Sequence, residues 1–205
     1  MTEHHFYEPR HGHGLRHDPL NAIVGPRPIG WIGSLNAAGV RNLAPYSFFN
    51  LFNYRPPIVG FASTELKDSA ANIAATGEFT WNLATRDLAE AMNASSATVA
   101  PVIDEFDLAG LEAAPSRLIA APRVAASPVS FECRLTQQFE LTDAAGAGTG
   151  AWMTFGEVIA VHIDPAMLDE GIYITARARP IVRGGGAGEY FEITGDRLFE
   201  MRRPR

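Results

Sequence analysis

Apolar residues along this chain fall mostly on alternate positions, the period of a strand with one buried face. The pattern is clearest in "SPVSFECRLTQQFELT", where Val129, Phe131, Cys133 and Leu135 share one phase that Phe139 and Leu141 continue. The glycine-rich turn "DAAGAGTG" and the apolar "AWMTFGEVIAVHI" follow, so residues 127–163 predict a long hairpin. Nearer the start, "RPIGWIGSL", "NAAG" and "VRNLAPYSFF" read as a second hairpin with Gly39 in its turn. "PPIVGFAS" is a short apolar run of the kind a buried strand shows, its prolines at the beginning where a missing N–H does least harm. Helical spacing is confined to "DSAANIAATG", with Ala70, Ile73 and Ala74 on one face and Gly77 as the stop, and to "RDLAEAMNASS", which starts at Thr85 or Asp87 and has Leu88, Ala91 and Met92 as its stripe. "EFTWNLAT" between them is a strand. Residues 96–127 show no strong period and predict a long excursion over the surface, while "GIYITA", "RPIVRGGGAGEYFEI" and "DRLFEM" read as short edge strands. Strands dominate and helices are inserted singly, an order that predicts a mainly β antiparallel barrel rather than a doubly wound sheet.

The chain has 205 residues, enough for one domain with a sizeable core. We expect an N-terminal arm over residues 1–22 and a single domain over 23–205. With 46% hydrophobic and 20% charged residues, neither disorder nor a membrane span is expected. The opening "MTEHHFYEPRHGHG" lacks an apolar h-region, which predicts a cytoplasmic protein. A net charge of −6 without a Lys/Arg block argues against a nucleic-acid surface. The single cysteine, Cys133, allows no internal disulfide and reads as a buried, unreactive thiol. His4, His5, His11, His13 and His17 crowd the first seventeen residues. Imidazole is a common metal ligand, but a terminal segment with glycine and proline has no reason to hold a fixed geometry, so no metal site is expected.

Candidate chemistry concentrates where the third apolar run ends, in "STELKDSAAN" (63–72). Two hydroxyls, a lysine and a third hydroxyl at a strand-to-helix junction fit either an ordinary loop, in which Asp68 or Ser69 caps the helix, or a cradle for a phosphate at the helix N-terminus. No phosphate-loop, dinucleotide, zinc-protease or nucleophile-elbow motif occurs elsewhere, and "GGGAG" (184–188) has no helix after it. Arg27 has a planar fork suited to a phosphate or to a carboxylate in the fold. Trp31 reads as core or subunit contact. His162 shares its phase with Val158 and Ala160 and faces the barrel interior or its rim, as a structural histidine or a functional one.

Taken in order and spacing, "GPRPIGWIGSL", "GVRNLAPYSFFN", "PPIVGFASTELKDSAANI", "GEFTWNLAT" and "ARPIVRGGGAGEY" resemble the flavin reductase-like family. These are FMN-binding split barrels that include the flavin reductase components of two-component monooxygenases and flavoredoxin-type proteins. The resemblance covers the chain from about Phe6 onward. It implies a six-stranded antiparallel Greek-key split barrel with peripheral helices, assembled as a homodimer. The implied activity is hydride transfer from NADH or NADPH to FMN, with electrons passed to a partner monooxygenase or other redox protein; the alternative is a non-catalytic FMN electron carrier. It also implies that Ser63, Thr64, Lys67 and Ser69, with Asn72 nearby, serve the phosphate and ribityl end, the Asp68 carboxylate turning away toward Lys67, Asn72 or a helix amide. Asn42, Ser47, Phe48 and Phe49 would serve the isoalloxazine, and Arg27 is a further cofactor candidate. His162, Arg183 and Tyr190 are the implied face for the nicotinamide ring.

Overall fold

The computed structural model describes residues 3–204. Met1 and Thr2, the tip of the expected arm, and Arg205, the end of the expected domain, lie outside the described residues. One sheet dominates. Its strands are β1 (Gly30–Leu35), β2 (Arg41–Tyr46), β3 (Phe49–Tyr54), β4 (Pro57–Ser63), β5 (Glu78–Asn82), β6 (Val129–Thr142) and β7 (Gly148–Ile163), ordered β2-β1-β5-β6-β7-β4-β3 with every neighbouring pair antiparallel.

That order forces closure. Seven flat strands would hold the outer two about 29 Å apart, yet the three Cα steps from Tyr46 to Phe49 span at most about 11 Å. Because β2 and β3 are both the outer strands and consecutive in the chain, the sheet must curl until its edges meet at Ser47–Phe48. The Ala62 amide donates to the Phe48 carbonyl at 2.8 Å, extending the β3–β4 ladder up to the seam, while among the described residues the outer edge of β2 pairs with no strand. The result is a barrel with a split beside β2.

The sheet has seven strands where six were expected. β3 is the addition: "VRNLAPYSFFNLFNY" divides after Tyr46, and Leu51, Phe52 and Tyr54 stay exposed, so β3 carries no alternation to announce it. Pro45 sits within β2 on its unpaired side, the position where an absent N–H removes no ladder bond. Leu43, two residues earlier and in the same phase, sends its amide outward to Glu105.

Two apolar clusters fill the molecule. Inside the barrel Phe61, Phe79, Trp81 and Cys133 pack together, with Phe49 stacked on Trp81 at 5.6 Å between ring centroids. Burial pushes the Cys133 thiol far up, so it stays protonated and inert. Outside, Trp31, Leu43, Met92, Phe106 and Val124 form a second cluster. Trp31 is thus core, its indole donating to Ser95 Oγ at 3.0 Å. This cluster corrects the reading of residues 96–127 as a surface excursion, since Phe106, Ala121 and Val124 are buried and cover the outer face of β1 and β2. Their period is unreadable because the segment folds as single turns and two-residue strands.

Helix α1 (Asp68–Thr76) ends at Gly77 in the left-handed conformation expected of it, but it starts on Lys67 with no side-chain cap, and Ala74 is exposed while Ser69 is buried. Helix α2 (Ala89–Ala94) starts after Leu88, later than Thr85 or Asp87. The short α3 (Glu105–Leu108) is capped by Asp104, whose carboxylate accepts from the Phe106 amide at 2.9 Å. A small second sheet joins Arg27–Pro28, Ile181–Arg183 and Tyr190–Glu192. "DRLFEM" forms no strand. Gly185 lies against the turn Leu20–Ile23 so closely that a Cβ would enter the backbone of Ala22, which is why a glycine run is needed there.

Candidate functional site

A cleft of about 470 Å³ opens at the split. Its walls are the outer edge of β2 from Asn42 to Phe48, the end of β4 with the start of α1 (Ala62–Ser69), the segment Ser95–Val99, and Glu105. Antiparallel closure brings these together: the unpaired edge of β2 faces the point where β4 hands over to α1. Asn42, Ser47, Phe48, Ser63, Thr64, Lys67 and Ser69 therefore share one cavity.

Their roles divide. The Thr64 hydroxyl and Lys67 ammonium are exposed, Lys67 lying 3.7 Å from the Glu65 carboxylate. At the start of α1 the Ala71 amide is the first to find a main-chain acceptor, Lys67 O at 3.0 Å; of the amides before it, those of Asp68 and Ser69 belong to residues that line the cleft. Ser63 is buried and its hydroxyl donates to Glu65 O at 2.6 Å. Ser69 is also buried, and its hydroxyl donates to Asn42 Oδ1 at 2.7 Å. Asn72 donates to Ser34 Oγ at 3.3 Å and does not line the cleft. Asp68 lines the cleft instead of turning away, and its carboxylate meets neither Lys67 nor Asn72. Tyr46 lies beside these hydroxyls, and burial pushes its phenol up, partly offset by their proximity.

Glu105 is the feature that sequence reading missed. It is buried, and its Oε2 accepts from Asn42 Nδ2 at 3.0 Å and from the Leu43 amide at 3.1 Å. Burial raises its carboxyl, partly offset by those donors. Arg41 on β2 anchors α3 from the other side, paired with Asp104 and with Asp107 at 2.9 Å. Only a weak signal existed: "IDEFDL" offers an N-cap aspartate before a short turn, but nothing local distinguishes Glu105 from its acidic neighbours.

Other expected residues lie beside this cleft or away from it. Between Phe48 and Ala62 the cleft continues into an apolar basin of about 510 Å³, lined by Arg27, Phe48, Phe49, Phe52 and Met153 among others. Arg27 at that basin meets no carboxylate; it donates to the carbonyls of Asn21, Val24 (3.0 Å) and Ser47 (3.1 Å), tying the Leu20–Ile23 turn to the seam, with its guanidinium 5.3 Å from the Phe48 ring centroid. Phe49 borders the basin while its ring packs into the barrel core. Arg183 and Tyr190 share a groove of about 790 Å³ that meets the cleft at Ser96, Arg183 stacking 5.0 Å over the Tyr190 ring. His162 does not join them. It lines a separate cavity with Arg117 and Ser127 and bonds the fully buried Glu132 at 2.6 Å. Among the described residues no group of three or more His, Cys, Asp or Glu side chains is placed to hold a metal ion. His5 bonds the His13 carbonyl and His11 pairs with Glu8.

Geometry alone defines a class: a split β-barrel whose seam places the start of a helix, a hydroxyl and a lysine next to an aromatic-lined basin. Residues 25–181 match the family described as "Flavin reductase like domain", and the chain belongs to that family. It is 35% identical over 205 residues to an uncharacterized protein of Deinococcus radiodurans, covering 93% of this chain and 86% of that one. Among solved structures it is similar to nitrilotriacetate monooxygenase component B from Bacillus cereus (26% identity, TM-score 0.82, 89% of this chain and 90% of that one). It is likewise similar to the 2-nitrobenzoate 2-nitroreductase NbaA of Pseudomonas fluorescens (30% identity, TM-score 0.79, 90% and 88%).

Proposed function

We propose that this chain is an FMN-dependent oxidoreductase that accepts hydride from NADH or NADPH and delivers electrons to a monooxygenase or another acceptor. The observation that carries this reading is the seam cleft, where the first amides of α1, at Asp68 and Ser69, the Thr64 hydroxyl and the Lys67 ammonium come together. That donor set suits a phosphate dianion, which the helix dipole also favours. Flavin supplies the redox chemistry when bound, so the protein needs no acid–base pair. Its residues have positional work to do. The α1 amides and Lys67 anchor the phosphate, the β2 edge from Ala44 to Ser47 offers main-chain groups to a polar ring edge, and Phe48 and Ala62 bridge the cleft to the apolar basin. Arg183 and Tyr190 border the approach for a second ring, which must stack at reacting distance.

No described helix is long and apolar enough to cross a membrane; we place the protein in the cytoplasm. We also propose a homodimer, supported by the exposed apolar strip of Leu51, Phe52 and Tyr54 on the outer strand β3. Anaerobic mixing of the FMN-loaded protein with NADH and with NADPH tests the activity. Bleaching of the flavin band by at least one is expected. A stable yellow protein that bleaches with neither would be an electron carrier, and a chain that binds no FMN would overturn the reading altogether.

A further inference from the structure

We propose that Glu105 is the positioning residue of the phosphate end of the cleft, acting through Asn42 and Ser69 on the first turn of α1. This assignment rests on the FMN reading above. An asparagine amide fits its space equally well in two orientations, and hydrogen bonds choose between them. An ionised carboxylate only accepts, so Glu105 Oε2, at 3.0 Å, requires the Nδ2 end of Asn42 to face it. Asn42 Oδ1 then points the other way and accepts from Ser69 Oγ at 2.7 Å and Ser34 Oγ at 3.2 Å. Ser34 Oγ in turn accepts from Asn72 Nδ2 at 3.3 Å.

One carboxylate thus sets the polarity of the whole relay. Ser69 and Asn72 stand one turn apart on α1, so the relay grips that helix at two points and fixes the direction in which its first turn, at Asp68 and Ser69, faces the cleft. The same oxygen holds the Leu43 amide, locking the opposite wall at 3.1 Å. A carboxylate is otherwise a poor choice here. It is buried, which disfavours its charge, and it lines a cleft with Glu65 and Asp68 that is to receive an anion. Two groups call for an obligate acceptor at this point, the Leu43 amide and the Nδ2 end of Asn42, and only the second passes its orientation on to α1.

The test is titration of the flavin-free, full-length protein with FMN and, separately, with riboflavin, which lacks the phosphate, following flavin fluorescence. Glu105→Ala should weaken FMN binding about tenfold while riboflavin affinity stays unchanged, because a mis-set relay leaves the α1 amides misaligned. Glu105→Gln, whose amide oxygen can take the place of Oε2, should restore FMN affinity to within about threefold. Should Glu105→Ala fold poorly, Ser69→Ala cuts the same relay at the helix and should show the same FMN-selective loss. Equal losses for FMN and riboflavin, equal losses in the Gln and Ala variants, or unchanged FMN binding would each overturn the assignment while leaving the FMN reading standing. Failure of the parent chain to bind FMN would remove both.

Discussion

Glu105 and Glu132 are both buried carboxylates on the barrel, and their surroundings move them in opposite directions. Glu132 on β6 is fully buried; burial alone would raise its carboxyl, but the Arg117 amide at 2.7 Å, His162 at 2.6 Å and the Leu118 amide at 2.7 Å outweigh it and lower it. Glu105 has two neutral donors and the nearby Asp68 charge, and is raised. A charge matched by a histidine and two amides serves as a structural tie between β6, β7 and the 117–118 loop. A charge left under-compensated beside a cavity is tolerated where something else requires it. The comparison separates a carboxylate that holds the fold from one that shapes the cleft.

The largest effect expected is on stability at the first site. Glu132→Ala removes from a fully buried position the acceptor of two part-buried amides and the partner of His162, and should cost about 3–5 kcal/mol in urea unfolding, with FMN affinity of the folded fraction unchanged. A loss of FMN selectivity there would break the distinction.

Acid should separate the two sites by sign. For Glu132 the folded carboxyl lies below its unfolded value, so its contribution is fully present above the ordinary carboxylate range and disappears as pH falls through the folded value. The stability advantage of the parent over Glu132→Gln should therefore shrink below about pH 4. For Glu105 the folded carboxyl lies above its unfolded value, so its ionised form destabilises the fold at neutral pH, and falling pH relieves that cost. Any stability gain of Glu105→Gln over the parent should be greatest at neutral pH and vanish in acid, as read from urea midpoints between pH 7 and 3.

Smaller effects are expected at the surface of the cleft. Lys67→Ala with Ser69→Ala should weaken FMN binding about ten- to thirtyfold with little change in riboflavin binding. The smallest concerns the exposed Glu65–Lys67 pair. Glu65→Ala releases Lys67 and removes a like charge from the ligand, so FMN affinity should rise about two- to threefold at low salt and by less at high salt.

Much of the barrel was legible because strand alternation and turn chemistry are local. The 127–163 hairpin, the Gly39 turn, the buried run at 57–63 and the Gly77 helix stop all appear where the pattern puts them. β3 was not legible, since its side chains are exposed and impose no period, nor was the segment 96–127, whose buried residues are spaced by irregular turns. Of the site, the stretch from Ser63 to Ser69 could be read because a strand handing over to a helix creates an anion-friendly terminus by itself. Partners that no local reading supplies set the rest: Arg27 and Phe49 border the basin, held there by the carbonyls of Asn21, Val24 and Ser47 and by the Trp81 ring, whereas Glu132 holds His162 in a cavity away from Arg183 and Tyr190.

Sequence alone therefore determined most of the barrel strands, where α1 stops and which groups stand at its first turn, since each depends on residues within a few positions of one another. Tertiary structure alone decided that β2 borders a seam, that residue 105 reaches Asn42 from 63 positions away, and that the two buried carboxylates have opposite roles. Burial and hydrogen-bond partners belong to the closed barrel, and a carboxylate has no fixed electrostatic character until those neighbours are in place.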